Sequence, residues 1–241
     1  MFWDSMKSIL KHIKSPEFRS LAVLIDPDKF DLKNASQFID KVNKSIATHI
    51  FIGGSIVDAF ATDALISAIK PLTKLPIVLF PGDVIQVSEQ ADAILFLSLV
   101  SGRNPEYLIG QQVKAVSKLR NSDLEIIPTG YVLVEGKKET STQKVTNTKP
   151  LIKLQEIVDT AKASELLGMQ LVYLEAGSGA KQAVASEIIN AVKKEINIPL
   201  IVGGGIRSKL AIEKAFSAGA NVVVIGTAFE EDESFFDDLL K

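Results

Sequence analysis

Near its end the chain carries the run Ile198-Pro199-Leu200-Ile201-Val202-Gly203-Gly204-Gly205-Ile206-Arg207, an apolar segment that stops at three glycines. A second apolar run, residues 222–225, stops at Gly226 and Thr227. Glycine has no Cβ, so an anion can approach the backbone, and a helix that begins just after such a turn adds free N–H groups. Phosphate commonly binds at the loops after the seventh and eighth strands of a parallel barrel. The two turns therefore predict a phosphate site at the mouth of an α/β barrel.

Eight short apolar runs along the chain, two of them ending at these turns, predict eight strands. They are almost continuously apolar, as is typical of parallel strands covered on both faces. The predicted strands are residues 21–25, 49–52, 77–80, 93–97, 125–128, 171–174, 200–202 and 222–225.

Amphipathic segments separate most of these strands and predict the helices of a barrel. They are residues 56–69, 107–119, 154–167, 183–196 and 209–218. The third unit is weak, because only residues 84–90 separate its strand from the next. An extra amphipathic helix is predicted over residues 1–18. The sequence thus predicts a single (β/α)₈ TIM barrel, with residues 1–241 forming one domain.

Composition excludes several classes of function. Net charge is −2 with acids and bases interspersed, so no basic footprint for nucleic acid is present. The chain has no cysteine, which excludes disulfides, thiolate zinc sites and a cysteine nucleophile. No apolar run reaches the roughly 20 residues of a membrane span, and no signal peptide precedes the first strand. We therefore expect a cytoplasmic enzyme without a transmembrane segment.

The connection after the fifth strand, residues 131–150, is too long to be a simple link. Connections of this length within a compact domain are usually functional or disordered. On a barrel it would hang over the C-terminal mouth and could close on substrate as a mobile polar lid. A disordered surface excursion is the alternative.

Polar side chains at the ends of the first two strands suggest a metal site. Asp26 begins the stretch Asp26-Pro27-Asp28-Lys29, and Ser55 follows Gly53-Gly54. Mg²⁺ prefers oxygen ligands and keeps several waters while it binds substrate phosphates, so Asp26 and Ser55 are the metal candidates. The alternative for Asp26 is a turn with an Asx cap.

Glu175 is the candidate general base. Tyr173 and Glu175 are two residues apart and share one face of the sixth strand, so the carboxylate projects toward the barrel interior or mouth. Burial would raise its pKa toward working pH. Gly177-Ser178-Gly179 follows and adds a third backbone nest for an anion. An ion pair across the barrel is the alternative for Glu175.

The other side chains that could take part in catalysis are expected to have structural roles. His12 lies in the predicted first helix and His49 at the start of a strand, both at the end of the barrel away from chemistry. Phe2 and Trp3 are expected to pack or to form an oligomer contact. No Gly-x-Ser-x-Gly elbow is present, which argues against acyl transfer.

Together these motifs resemble the geranylgeranylglyceryl phosphate synthase family of archaea and bacteria, in matching order over nearly the whole chain. The most specific are Asp26-Pro27-Asp28-Lys29 and the run Tyr173 to Gly179. The resemblance implies transfer of a polyprenyl group, expected to be geranylgeranyl, from its diphosphate to the C3 hydroxyl of sn-glycerol 1-phosphate, with Mg²⁺ required. By position, Asp26 and Ser55 correspond to the metal ligands. The residues that would hold glycerol phosphate are Tyr173, Leu174, Glu175, Ala176, Gly177, Ser178, Gly179, Gly204, Gly205, Gly226 and Thr227.

The residues at the strand ends are suited to this prenyl transfer. Glu175 would accept the proton of the attacking hydroxyl, with Tyr173 beside it, while the glycine turns hold the phosphate. Phe80, Phe96 and Leu97, at the ends of the third and fourth strands, are candidates to line an apolar prenyl groove. We also expect a homo-oligomer, dimer or hexamer, and transient membrane contact when the product is released.

Two other functions remain open at this stage. A different phosphate-binding barrel enzyme, such as a phosphosugar isomerase or a lyase, would share the glycine turns but needs further Lys, Asp or Cys groups at other strand ends. A non-catalytic phosphometabolite-binding barrel is the second alternative, against which intact Asp26 and Glu175 argue.

Overall fold

The computed structural model describes residues 8–231 and 233–240 and contains a closed barrel of eight parallel strands in sequence order. The predicted TIM barrel is therefore confirmed. The strands are β1 (Ser20–Ile25), β2 (His49–Ile52), β3 (Ile77–Leu79), β4 (Ala93–Ser98), β5 (Glu125–Leu133), β6 (Leu171–Glu175), β7 (Leu200–Gly203) and β8 (Val222–Ile225).

Helices surround the barrel. They are α1 (Ile9–Lys14), α2 (Ala35–Lys44), α3 (Ala61–Ile69), α4 (Gln111–Leu119), α5 (Ser141–Thr146), α6 (Leu154–Leu166), α7 (Ser186–Glu195), α8 (Lys209–Ser217) and α9 (Thr227–Glu231). In the described part of the chain, no helix is both long and apolar enough to cross a bilayer.

The core has two layers because successive side chains of a strand point to opposite faces. Tyr173 and Phe51 belong to the cluster inside the barrel, whereas Leu174 and Val202 belong to the cluster between the strands and the helices. Every residue of β6 is buried. A side chain at the end of β6 can therefore reach solvent only through the mouth.

The N-terminal helix α1 covers the opposite end of the barrel, where Ile9 and Ile13 join the interior cluster. The Glu125 carboxylate accepts hydrogen bonds from Ser8 Oγ at 2.6 Å and from the backbone N–H of Ile9 at 2.5 Å. His12 lies 5.6 Å from His49 between ring centroids. Both histidines are therefore remote from the mouth, as predicted.

The predicted helix over residues 1–18 is too long at its C-terminal end. Helix α1 stops at Lys14, since Ser15 is extended and precedes Pro16, which disfavours the helical conformation at the residue before it. Residues 1–7, including Phe2 and Trp3, lie outside the described residues.

The third unit departs most from a regular barrel. A single 3₁₀ turn, Val84–Gln86, stands between β3 and β4 where a helix would normally lie. The predicted helix over residues 56–69 is also wrong at its start, because α3 begins only at Ala61. The backbone before it is held by the N–H of Asp58, which donates to both oxygens of Asp28 at 3.0 and 3.1 Å.

Three further boundaries differ from the prediction by more than one residue. The helix predicted from residue 183, α7, begins only at Ser186. The helix predicted from residue 107 begins as a π-helix, Glu106–Gly110, before α4. The predicted fifth strand ends at residue 128, but β5 continues to Leu133. The added residues pair with β6 from Thr129↔Leu171 to Leu133↔Glu175.

Candidate active site

A cavity of about 370 Å³ opens at the C-terminal mouth of the barrel. Its lining includes Asp26, Ser55, Glu175, Gly204 and Thr227, which come from the ends of five different strands. The structure therefore brings the metal candidates, the candidate base and two of the glycine turns to one cavity. This is the end of the barrel at which TIM-barrel enzymes carry their chemistry.

Glu175 lies at the floor of this cavity with only 5% of its surface exposed. Burial raises the pKa of the Glu175 carboxyl to about 7, against hydrogen bonds that favour its ionised form. One of these comes from the backbone N–H of Gly177 to Oε1, at 2.7 Å. The groups that act on the pKa of Glu175 are its burial, Gly177 and Tyr173, with no basic side chain among them, which argues against the ion-pair alternative. A carboxylate with such a pKa is suited to accept a proton near neutral pH.

Three aromatic rings, those of Phe80, Tyr131 and Tyr173, pack together inside the barrel next to the end of β6. The Tyr173 ring stacks on Phe80 with centroids 5.0 Å apart and meets the edge of Tyr131 at 5.4 Å. Burial, and next the nearby Glu175 charge, raise the pKa of both tyrosine hydroxyls well above the usual value. Tyr173 therefore stays protonated near neutral pH and is suited to orient a substrate or Glu175 but not to accept a proton.

The glycine turns after β6 and β7 pack against each other. Gly204 has a φ of 81°, and a Cβ there would lie 2.7 Å from the backbone nitrogen of Gly177 and 2.9 Å from that of Ala176. Gly177 has a φ of 101°. Because both positions need the left-handed backbone and leave no room for a side chain, the turns present their backbone at close range. With Gly226 and Thr227, which follow the neighbouring β8, they form a surface suited to an anion.

The predicted glycerol phosphate residues do not all face this cavity. Tyr173, Glu175, Ser178, Gly179, Gly204, Gly205, Gly226 and Thr227 line it. Leu174 and Ala176 instead belong to the cluster between the strands and the helices. Gly177 is also absent from the lining, and its N–H donates to Glu175 Oε1. Leu174 and Ala176 can therefore take part only through their backbone.

Asp26 and Ser55 face the cavity from the ends of β1 and β2. The Asp26 Oδ2 atom is 2.8 Å from Lys29 Nζ, and Oδ1 accepts a hydrogen bond from the backbone N–H of Asp28 at 3.2 Å. The Asx turn left open by the sequence is thus present, and the carboxylate still lines the cavity. A Cβ at Gly54 would lie 2.8 Å from Asp26 Oδ1, so this glycine leaves the carboxylate room.

These donors fit Mg²⁺ in kind. A carboxylate and a hydroxyl are hard oxygen ligands, and Mg²⁺ usually takes few of its ligands from the protein, the rest being waters and substrate phosphates. Within residues 8–231 and 233–240, no cluster of three or more His, Asp or Glu side chains forms a complete metal cage. A site of this kind would therefore depend on substrate phosphates to complete the ligands.

Helix α5 lies over the mouth, and the disordered alternative for the long connection is wrong. Thr140 and Gln143 form a capping box that starts the helix. Ser141, Thr142, Val145 and Thr146 line the cavity. The Thr142 hydroxyl lies 3.4 Å from that of Ser55. The connection is thus a cover that reaches the opposite wall, and its motion stays a prediction.

Gln86 ties the tips of β2 and β3 together. Its side-chain amide donates to the carbonyl of Gly54 at 2.8 Å, and its Oε1 accepts from the N–H groups of Gly54 and Gly82 at 3.3 Å each. The Gln86 side chain is buried. It therefore fixes the backbone that presents Ser55, at the point where the third helix is missing.

The wall at β3 and β4 is apolar. Phe80, Phe96 and Leu97, the predicted groove residues, all line the cavity. Leu95, Leu99 and Val87 add to the same wall. This side of the cavity is suited to hydrocarbon.

Sequence reasoning misses Tyr131 and Thr142, both of which line the cavity. Extending β5 past residue 128 would have found Tyr131, because it lies two residues from Leu133 on the inward face. For α5 the signal is Thr140-x-x-Gln143, a capping-box pattern within the long connection.

The chain matches the model of the PcrB family over residues 14–241. It is 52% identical over 219 residues to the geranylgeranylglyceryl phosphate synthase of Flavobacterium johnsoniae, covering 90% of each chain. It is 54% identical over 215 residues to the enzyme of the same name from Zunongwangia profunda, covering 88% of this chain and 92% of that one.

A solved structure is similar over almost the whole length. It is the (S)-3-O-geranylgeranylglyceryl phosphate synthase of Thermoplasma acidophilum in complex with its substrate sn-glycerol-1-phosphate. The two chains share 32% identity and superpose with a TM-score of 0.91, over 97% of this chain and 96% of that one.

Proposed function

The chain belongs to the PcrB family, and on that premise we propose that it joins a polyprenyl diphosphate, expected to be geranylgeranyl diphosphate, to the C3 hydroxyl of sn-glycerol 1-phosphate. The enzyme is a prenyltransferase of lipid biosynthesis. The observation that carries the proposal is the buried Glu175 carboxylate, which lies beside the paired glycine turns and faces an apolar wall in one cavity.

The two halves of the cavity correspond to the two substrates. Glycerol phosphate is small and anionic, and its phosphate suits the backbone of Gly179, Gly204 and Gly205 with Thr227. The prenyl chain is hydrocarbon and suits the wall of Phe80, Phe96 and Leu97. The attacking hydroxyl and the reacting carbon then meet between the halves, at Glu175.

The reaction moves one proton and exchanges one bond. The C3 hydroxyl oxygen of glycerol phosphate forms a bond to prenyl C1 while the bond from C1 to the diphosphate oxygen breaks. Glu175 takes the hydroxyl proton, and diphosphate leaves with the bonding electrons. Binding in fixed positions supplies much of the rate, because two substrates are held within reach of each other.

We propose that Asp26 and Ser55 hold Mg²⁺. When bound, this ion neutralises charge on the departing diphosphate. Lys29, which lines the cavity next to Asp26, adds positive charge at the same wall. A homo-oligomeric state and a cytoplasmic location stay predictions from the sequence.

Product analysis tests this function. The purified protein is incubated with Mg²⁺, labelled geranylgeranyl diphosphate and either sn-glycerol 1-phosphate or sn-glycerol 3-phosphate, and the lipid product is identified by mass spectrometry. We expect an ether product and released diphosphate, with the 1-phosphate preferred. Binding of glycerol phosphate without any ether product would favour the non-catalytic barrel, and conversion of a phosphosugar would favour an isomerase.

A further inference from the structure

Three large apolar side chains project from the edge of the mouth at the ends of β2 and β3. Phe60 is 80% exposed, Ile56 70% and Ile85 49%. We call these three residues the apolar rim. They lie on the side of the barrel where a 3₁₀ turn replaces the third helix.

The backbone holds the rim in place. Phe60 has a φ of 72°, a left-handed conformation that bulky residues rarely adopt, and it stands immediately before α3. The β2 loop is bonded to the β1 loop through Asp28 and the N–H of Asp58, and to the β3 loop through Gln86 and Gly54. A large aromatic ring that is exposed and held in a strained conformation suggests that the ring contacts a partner instead of packing within the fold.

The rim is continuous with the cavity. Ile56 belongs both to the rim and to the cavity lining, and Val84, which lines the cavity, precedes Ile85 in the same turn. A hydrocarbon chain that leaves the rim therefore meets apolar side chains on its way to the floor.

Charge narrows the choice of partner. Every charged residue within four positions of a rim residue is acidic: these are Asp58, Asp63, Asp83 and Glu89. Anionic bilayers attract basic protein segments, whereas acidic residues around an apolar surface are repelled by an anionic bilayer. In space, Lys114 interacts with Asp83, and Lys29 pairs with Asp26 on the neighbouring β1 loop, so basic groups offset part of this negative charge. An apolar surface in surroundings of mixed charge is compatible with a lipid surface of no net charge.

We propose that the apolar rim inserts into a neutral lipid surface, so that the prenyl chain passes between the bilayer and the cavity without entering water. This inference rests on the proposed function, since only a lipid substrate or product needs such a route. Transfer of apolar side chains from water into the edge of the acyl region supplies the attraction.

The test uses the full chain with phosphatidylcholine vesicles, in the presence and absence of phosphatidylglycerol. The variant is Phe60→Ser/Ile85→Ser, which leaves Ile56 and the cavity lining unchanged. The matched control is Leu166→Ser/Leu167→Ser, another pair of exposed apolar residues, 77% and 74% exposed, at the C-terminal end of α6. That end faces away from the mouth, because barrel helices run antiparallel to the strands.

We expect the wild type and the control to bind neutral vesicles, with weaker binding when phosphatidylglycerol is added. The rim variant should bind at least about tenfold more weakly, the change expected for removing two large apolar contacts. Its turnover should fall similarly when geranylgeranyl diphosphate is embedded in vesicles, and should stay unchanged with the short, water-soluble geranyl diphosphate.

Three results would overturn the rim proposal: no binding of the wild type to neutral vesicles, equal binding by the rim variant, or binding that needs anionic lipid. A change of oligomeric state in the rim variant, measured by sedimentation, would assign the rim to a contact between copies of the chain. Absence of product with either prenyl donor in solution would instead contradict the proposed function. Vesicle binding does not require turnover, so it tests the rim proposal separately.

Discussion

At the residue scale, the buried carboxyl of Glu175, the proposed base, has a cost to the stability of the fold. Burial raises the pKa of its carboxyl from 4.5 to about 7, so the folded protein holds a proton that the unfolded chain has lost. Stability therefore decreases as pH rises from about 4.5 to about 7 and is lowest above that range. The cost of the ionised form is of the order of 3 kcal/mol, from 1.36 kcal/mol for each pKa unit.

Glu175→Gln should consequently stabilise the protein at pH 8, by up to about 3 kcal/mol in the free energy of unfolding, and by less than about 1 kcal/mol at pH 5. Urea unfolding at both pH values measures the difference. Glu156→Gln, on the exposed surface of α6, is the control for loss of a charge. A stabilisation by Glu175→Gln that does not depend on pH would contradict a raised pKa at this site.

Gly204 tests the phosphate surface. Gly204→Ala places a Cβ against Glu175 Oε1 and against the backbone nitrogens of Gly177 and Ala176. The KM for glycerol phosphate should therefore rise at least about tenfold and kcat should fall with it, while the KM for the prenyl diphosphate changes little. Gly168→Ala is the matched control. Gly168 also has a positive φ, 93°, but a Cβ there would meet no atom of the described residues within 4 Å. Gly168→Ala therefore introduces the same kind of backbone strain as Gly204→Ala without any steric contact. Equal KM values for Gly204→Ala and the wild type would place the phosphate elsewhere.

Asp26 tests the metal proposal. Asn keeps the Asx turn to Asp28 but lacks the charge, so Asp26→Asn should raise the Mg²⁺ concentration needed for half-maximal turnover while glycerol phosphate affinity stays constant. Asp31→Asn, which alters a similar turn at Lys33, is the control. Calorimetry and magnesium titrations of turnover provide the readouts. Normal magnesium dependence in Asp26→Asn would leave Asp26 as a turn residue only.

At the element scale, the missing third helix gives the cavity its apolar wall and leaves Gln86 to hold the neighbouring strand tips. Gln86→Met keeps the length of the side chain but loses the three hydrogen bonds to Gly54 and Gly82. We expect the KM for prenyl diphosphate and the magnesium requirement to rise several-fold, with glycerol phosphate affinity unchanged. Gln90→Met, on an exposed side chain, is the control. If Gln86→Met lowers the free energy of unfolding but leaves the KM for prenyl diphosphate and the magnesium requirement unchanged, Gln86 has only a packing role.

Elements were predictable from the sequence where one local rule applied. Strands β2 and β8 have the predicted limits, since each is a short apolar run with a clear stop at glycine. The prediction cut β5 short because Pro128 and Gly130 resemble strand breakers. In the barrel the Pro128 carbonyl accepts a hydrogen bond from the backbone N–H of Gln170 at 2.8 Å, and the strand continues for five residues of pairing with β6. Tertiary pairing thus overrides the local signal.

At the scale of the whole molecule, the order of motifs along the chain predicted the barrel and the end that carries the chemistry. The closeness of the two glycine turns, the three-ring cluster at Tyr131 and the contact between Thr142 and Ser55 depend on barrel closure. Each joins residues from separate strands or loops, and sequence spacing does not specify such distances. The sequence could therefore name many of the residues that line the cavity, but it missed Tyr131 and Thr142, and it could not give the distances between them.

The central claim is that Glu175 is the base of a prenyl transfer. Single-turnover ether formation by Glu175→Gln, measured beside a glycerol phosphate titration, tests it most directly. We expect the variant to lose roughly 10²–10⁴-fold in rate with glycerol phosphate affinity nearly intact, and to lose the rise in rate with pH that the wild type shows near 7. A variant that keeps more than about a tenth of the wild-type rate, below the smallest loss expected for a general base, would contradict the claim.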